Sequence, residues 1–241
     1  MFYRSNLGGG EKTAFFTEAD TGIVGSPYCI AFDWVGRNLY IGNIDASEIS
    51  LVRVEGKLKY RMLILDSRSG NETGVAQPIA LALHPNTGKL FWLDRGGNGV
   101  PAKIGKANMD GSEPEVIVKG NLEGPEFLTI DIQKEILYFS TSRNAKIESC
   151  NLDGSNRRTI ISSEQNHPVA KPTGIAVMDR RLYYVDPVYE KVVRVDSSDG
   201  SNEDVLLENE PHLRTLNIFQ KRQRKLLCSF QKIKVLIKVF T

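Results

Sequence analysis

Residues Pro125–Ile161 read PEFLTIDIQKEILYFSTSRNAKIESCNLDGSNRRTII, and four short strands are legible in them. Pro125–Asp131 opens on proline and an apolar run. Tyr138-Phe139-Ser140-Thr141 follows, an aromatic tetrad that closes on a short polar residue. A third strand of β-branched and apolar residues runs into Asn151-Leu152-Asp153-Gly154-Ser155, where Asp-Gly between apolar runs marks a hairpin because the turn needs positive φ. Arg158-Thr159-Ile160-Ile161 supplies the fourth strand. No helical period separates the four, so no crossover helix is available and a parallel βαβ fold is excluded.

The same order recurs on both sides. Segments beginning at Pro27, Pro78, Pro125 and Pro172 read PYCIAFD, PIALALH, PEFLTID and PTGIAVM, with start-to-start spacings of 51, 47 and 47 residues. Their tetrads are YIGN from Tyr40, FWLD from Phe91, YFST from Tyr138 and YYVD from Tyr183. Glycine turns follow at Gly56, Gly111, Gly154 and Gly200, and fourth strands at Met62–Leu65, Glu115–Val118, Arg158–Ile161 and Asp204–Leu207. Four short strands per unit at this period are the signature of a β-propeller with four-stranded antiparallel blades. The repeats lie near 27–77, 78–124, 125–171 and 172–212. Met1–Phe16 reads as the third and fourth strands of a preceding blade, with Asn6-Leu7-Gly8-Gly9 at its turn. Leu213–Phe219 reads as the first strand of a following one. The reading is an all-β chain with no helix between residues 20 and 220.

Composition bounds the function classes. The 241 residues carry 31 Lys+Arg against 29 Asp+Glu, a net charge of +2, which makes no global electrostatic demand for nucleic acid. At 41% hydrophobic and 25% charged the chain is of ordinary globular type. Cys29, Cys150 and Cys228 are too few and scattered for a disulfide scaffold, and none forms a CxxC pair. The Gly8–Gly10 run precedes any apolar stretch long enough for a signal peptide. The longest apolar tract, Lys232–Phe240, is broken by lysines and falls short of the roughly 20 residues a membrane span needs.

The proline-led strand, the tetrad and the Leu-Asp-Gly-Ser turn resemble the YWTD (class B) propeller of the low-density lipoprotein receptor family, over about residues 1–222, most closely the giant megalin-type members. The resemblance implies a six-bladed ring, of which four full repeats and partial blades are present. It also implies a place between EGF-like modules in the ectodomain of a membrane-anchored endocytic receptor, on the extracellular or lumenal side of the plasma membrane or endosome. Protein ligands and neighbouring receptor modules are the implied partners, with acid-linked release and no cofactor. No tetrad reads YWTD literally, but a short polar fourth residue is present in each as Asn43, Asp94, Thr141 and Asp186, as expected of a side chain that bonds backbone where the strand turns.

Residues 223–241 fall outside the resemblance. Leu226, Phe230, Ile233, Ile237 and Phe240 are spaced as on a helix, with lysines and arginines interleaved, which reads as a basic amphipathic helix. A terminus foreign to the propeller is the favoured reading, and strands that complete an unfinished blade are a third.

Repeated residues are structural by default, since each copy solves the same packing problem. Tyr40, Phe91, Trp92, Tyr138 and Tyr183 are expected to fill the space between blades. Trp34 is expected to cover the base of its sheet, and Gly111, Gly154 and Gly200 to make the turns. Asp33, His84 and Asp131 share one position, but ligands of one zinc sit about 2 Å from the metal whereas packed sheets lie about 10 Å apart. No nucleophile, HExxH or phosphate-loop motif accompanies them, so the chain reads as a non-enzyme. A propeller hydrolase or lactonase with an axial metal is the alternative. His84, His167 and His212 lie at strand ends or loops and are expected to be exposed; they are the candidates for acid sensing. Asn71-Glu72-Thr73 is a glycosylation sequon in a polar loop. Function is expected on the end where the loops after second and fourth strands converge. That end gathers Tyr28, Asn43, Arg95, Asn98, Gly99, Glu126, Arg143, Asn144, Tyr189 and Glu190. The second repeat carries four extra residues there, in the loop Arg95–Pro101. Four repeats of a larger ring also leave blade edges open, through which self-association is expected.

Overall fold

The computed structural model describes residues 2–4, 13–16, 27–53, 60–68, 72–97, 99–165, 168–209, 213–220 and 233–239. The chain is an all-β propeller chain with four four-stranded antiparallel sheets, each a meander in sequence order. The first blade is β3 (Pro27–Asp33), β4 (Asn38–Asn43), β5 (Glu48–Arg53) and β6 (Arg61–Asp66), preceded by the pair β1 (Phe2–Arg4) and β2 (Thr13–Phe16). The second is β7 (Pro78–His84), β8 (Lys89–Asp94), β9 (Lys103–Asn108) and β10 (Glu115–Lys119). The third is β11 (Pro125–Asp131), β12 (Ile136–Thr141), β13 (Lys146–Asn151) and β14 (Arg158–Ser162). The fourth is β15 (Gly174–Met178), β16 (Arg181–Asp186), β17 (Lys191–Asp196) and β18 (Asp204–Leu207). A last pair, β19 (Leu213–Gln220) and β20 (Ile233–Val239), is antiparallel.

Two expectations change. One turn of 3-10 helix, Ser163–Gln165, interrupts the otherwise all-β course. The helical spacing of the tail does not produce a helix at 233–239, where β20 pairs with β19 from Gln220↔Ile233 to Leu213↔Val239. A neighbouring strand edge offers ladder hydrogen bonds that outweigh a short helical period. Residues 221–232, with Cys228, lie outside the described residues.

The chain divides into two compact units, Met1–Val116 and Ile117–Thr241, the boundary falling inside β10. In unit one, Tyr40, Ile49, Leu51, Ile64 and Leu65 of the first blade form a core with Leu81, Leu83, Leu90, Trp92 and Ala107 of the second. Unit two repeats this: Tyr138, Ile147, Ile160 and Ile161 of the third blade meet Ile175, Leu182, Tyr184, Val193 and Val195 of the fourth. The tetrad therefore works on both sides of its sheet. Its first residue packs on the following blade and its second on the preceding one, because successive strand residues point to opposite faces. The Tyr40 hydroxyl also donates to the Met109 carbonyl at 2.7 Å, in the glycine turn of the next blade. The Trp92 ring lies over Gly105, where a Cβ would stand 2.6 Å from Cη2. Trp34, by contrast, is exposed in its turn and does not cover the sheet.

The glycine turns interlock blades. Gly111, Gly154 and Gly200 have φ of 88°, 83° and 75°, and a Cβ on each would press against the backbone carbonyl of Ile64, Ile117 and Ile160 in the outer strand of the preceding blade. Ile64 and Ile160 are the residues skipped by β-bulges in β6 and β14. A bulge leaves its extra residue outside the ladder, so the carbonyl is free to face the neighbour. Within each turn, Asp110, Asp153 and Asp199 accept hydrogen bonds from the amide and hydroxyl of Ser112, Ser155 and Ser201 at 2.6–3.0 Å.

Candidate functional site

The fourth tetrad residue builds the loop end of each sheet. Asp94 is fully buried, and its carboxylate accepts from the amides of Ala76 at 2.7 Å, Gln77 at 2.9 Å and Gly96 at 2.8 Å. Asp186 does the same for Ala170 at 2.6 Å, Lys171 at 3.2 Å and Val188 at 3.0 Å. One side chain thus ties the segment entering a blade to the turn leaving its second strand. Asn43 accepts from Asp45 and Ala46 at 3.1 Å each. It is buried, so it holds the turn from below and does not present its side chain to a partner, which corrects its assignment to the binding end. At Thr141 the buried Oγ1 has no partner among the described residues; the neighbouring Ser142 hydroxyl bonds Gly124 O at 3.1 Å instead.

In unit one, Arg95 leaves this scaffold and lies over the exposed Tyr28 ring, 5.5 Å from its centroid, with Nη2 donating to the phenol oxygen at 3.3 Å. The extra loop is a tight hairpin, closed by reciprocal Gly97 and Val100 backbone hydrogen bonds at 2.9 Å. Its tip residue Asn98 lies outside the described residues, while Gly99 takes φ 85° with open space around it. Beside the hairpin is a cavity of about 220 Å³, lined by Asp45, Ser47, Ser67, Gln77, Gly97 and Val100 among others. Behind its Gly74 wall the buried Lys103 ammonium donates to Gly74 O at 2.5 Å. The cavity was invisible in the sequence, because its walls come from two blades and the linker between them.

In unit two, Arg143 is exposed and Asn144 half-buried in the β12–β13 turn. Glu126, half-buried at the start of β11, faces Lys171 at 3.9 Å. Tyr189 and Glu190 are exposed in the β16–β17 turn, and the buried Lys191 ammonium stands 5.3 Å from the Tyr189 ring centroid. Lys191 was missed because a lysine opening a strand reads as a solvated charge. Each unit therefore shows an exposed tyrosine stacked by a cation.

The shared position of Asp33, His84 and Asp131 serves turns. Asp33 accepts from Val35 at 3.0 Å and Gly36 at 2.9 Å, and Asp131 from Gln133 at 3.1 Å and Lys134 at 3.2 Å. His84 is buried, contrary to the expected exposure, and its Nδ1 has no hydrogen-bond partner among the described residues. Its strand end is sealed on both faces of β7, whose seven residues are all buried. His167, His212 and Asn71 lie outside the described residues. Among the described residues no three His, Cys, Asp or Glu side chains gather as a metal site. Cys29 and Cys150 are free thiols whose pKa burial pushes up to about 12.

Residues 88–132 and 135–177 match the family described as low-density lipoprotein receptor repeat class B. Each match starts in the turn before a second strand and ends in or just past the first strand of the next blade, so the sequence repeat is offset from the structural one. The chain is 27% identical over 184 residues to the vitellogenin receptor Yl of Drosophila melanogaster, covering 76% of this chain and 8% of that protein. It is 26% identical over 206 residues to the human low-density lipoprotein receptor-related protein 5-like protein, covering 86% and 73%. Among solved structures, a chain of the nidogen/laminin complex superposes with a TM-score of 0.69 at 24% identity, covering 87% of this chain and 72% of that one, a likeness of fold alone.

Proposed function

Because residues 88–132 and 135–177 match the low-density lipoprotein receptor class B repeat, we propose that this chain is a YWTD-type propeller of a low-density lipoprotein receptor-related ectodomain, a non-enzymatic interaction module that binds extracellular protein ligands on its loop end. The observation that carries the reading is the Tyr28–Arg95 pair. An exposed aromatic and a guanidinium with no carboxylate partner among the described residues stand next to a tight hairpin and a cavity. Tyrosine and arginine are the side chains that concentrate binding energy at protein interfaces, and arginine meets carboxylates in a planar fork. The partner fitted by this chemistry is an acidic protein segment with an apolar residue beside the charge.

The endocytic role and acid-linked release are the finer parts of the proposal and rest on the family.

The test is fluorescence anisotropy with a panel of acidic peptides at neutral pH and at about pH 5.5. Replacing Arg95 by Glu is expected to abolish binding while leaving the thermal transition in place, since an exposed side chain carries little packing energy. Equal loss of binding and stability would move Arg95 into the scaffold and overturn the site. Binding unchanged on acidification would remove acid-linked release and leave the binding reading intact.

A further inference from the structure

The cavity beside the Gly97–Val100 hairpin is lined by residues of unit one alone, and its backbone donors are already bonded within the fold. The Asp45 amide donates to the Asn43 side chain and the Val75 amide to Asp66 O. The Ala76 and Gln77 amides donate to the Asp94 carboxylate, and Gly97 and Val100 donate to each other's carbonyls. Side chains are what remain to meet a ligand. Among the described residues, the Asp45 carboxylate, the Ser47 and Ser67 hydroxyls and the Gln77 carboxamide have no hydrogen bond or ion pair. A carboxylate only accepts, and the hydroxyls and the carboxamide oxygen can accept beside it. The complement of such a wall is a positively charged group with several donors and no acceptor, which is an ammonium.

Size and lining narrow the ligand further. The volume of about 220 Å³ falls short of the roughly 300–1,000 Å³ of pockets that take whole small molecules, and suits a single side chain. Ile44, Val75 and Val100 form an apolar wall along which an alkyl stem can lie while its head meets Asp45. The buried Lys103 ammonium behind the Gly74 wall opposes a second cation, and the Asp45 carboxylate is the charge that offsets it.

We propose that this cavity takes a lysine side chain of a protein partner, its ammonium held by Asp45 together with the Ser47 and Ser67 hydroxyls and the Gln77 side-chain oxygen. The hairpin couples the site to Arg95, whose amide donates to Gln77 O and whose near neighbour Gly97 lines the cavity. The partner segment therefore carries a lysine close to the acid that Arg95 meets. That pairing of charges rests on the binding role of the Tyr28–Arg95 pair, whereas the ammonium site stands without it.

Nuclear magnetic resonance on the isotope-labelled full chain tests the site, with Nα-acetyl-lysine methylamide as the probe and its Nε-acetylated analogue as the control. Saturable shifts of the Asp45, Ser47 and Gln77 amide signals are expected with the probe, with a Kd on the order of millimolar, weakened about tenfold by Asp45→Asn and unchanged by Arg95→Glu. The thermal transition of Asp45→Asn should stay in place, because the side chain is exposed. No shifts, equal shifts from the acetylated control, or binding that Asp45→Asn leaves as strong overturns the site. Acidic peptides that bind through Arg95 are then compared with versions carrying a lysine about one to four residues from the acid, and a gain of about tenfold that Asp45→Asn removes is expected. No gain at any spacing, or no peptide binding at all, overturns the shared segment, while the amine titration alone decides the cavity.

Discussion

Replacing Gly154 by alanine tests whether the glycine turns lock blades together or merely supply a backbone shape. At φ 83° an L side chain is strained, and its Cβ would also stand 2.8 Å from the Ile117 carbonyl carbon, nearer still to the oxygen. Gly120 isolates the first effect: its φ is 71° and a Cβ there meets nothing within 4 Å. Left-handed strain alone is worth about 1–2 kcal/mol, so Gly120→Ala should cost that much. Gly154→Ala adds the work of displacing an outer strand, an overpacking term of about 1–3 kcal/mol, for a total of about 2–5 kcal/mol. At roughly 2–4 °C per kcal/mol for a chain of this size, the added loss is about 2–12 °C. Thermal and urea denaturation followed by far-ultraviolet circular dichroism read both variants. Equal losses for the two would show that the contact on Ile117 carries no weight and refute the interlock.

Asp94→Ala removes the acceptor of three backbone amides and should cost at least about 3 kcal/mol by the same assay, with Asp94→Asn, which keeps one oxygen as Asn43 does, falling between. Asp110 and Asp199 have carboxyls held below the usual value, first by the Ser112 and Ser201 hydroxyls, then by those serines' amides. A lowered folded-state value means their contribution is complete above the unfolded value and is lost as pH falls through the folded one. The urea midpoint should therefore not fall on their account between neutrality and about pH 5; a fall there that Asp110→Asn and Asp199→Asn remove would contradict the assignment. Cys29 and Cys150, raised to about 12 by burial, should resist iodoacetamide at about pH 8 in the native chain and react on unfolding, as mass spectrometry of labelled peptides would show.

The blade pattern was legible because each signal is local and repeated: proline and an apolar run, a tetrad, Asp-Gly. The repeated aromatics of the tetrad also led to the expectation that Tyr40 and Tyr138 fill blade interfaces, where the structure places them. Three things were not legible. The burial of Asn43 turns on whether a short polar side chain caps its turn from beneath or stands above it, and both geometries use the same residue type. Gly105 is explained only by the Trp92 ring that lies on it, a contact between strands that no spacing announces. The outer-strand bulges carry no composition signal, since Ile64 and Ile160 look like ordinary strand residues and are marked only by register. The tail is ambiguous for a related reason: Leu226, Phe230, Ile233, Ile237 and Phe240 satisfy helical spacing on paper, and at 233–239 the pairing partner is what decides for a strand.

Asp94 and Asp186 grip only backbone amides, a group that every residue except proline supplies. Apart from Gly96, where a Cβ would stand 2.3 Å from the Val100 carbonyl oxygen, the side chains on the loops they hold are therefore not what anchors those loops. Those side chains can be replaced, as type is in a printer's frame, without refounding the sheet beneath. The frame also fixes where each new side chain will stand before a partner arrives, so little ordering is lost on contact and partners should differ mainly in how long they stay.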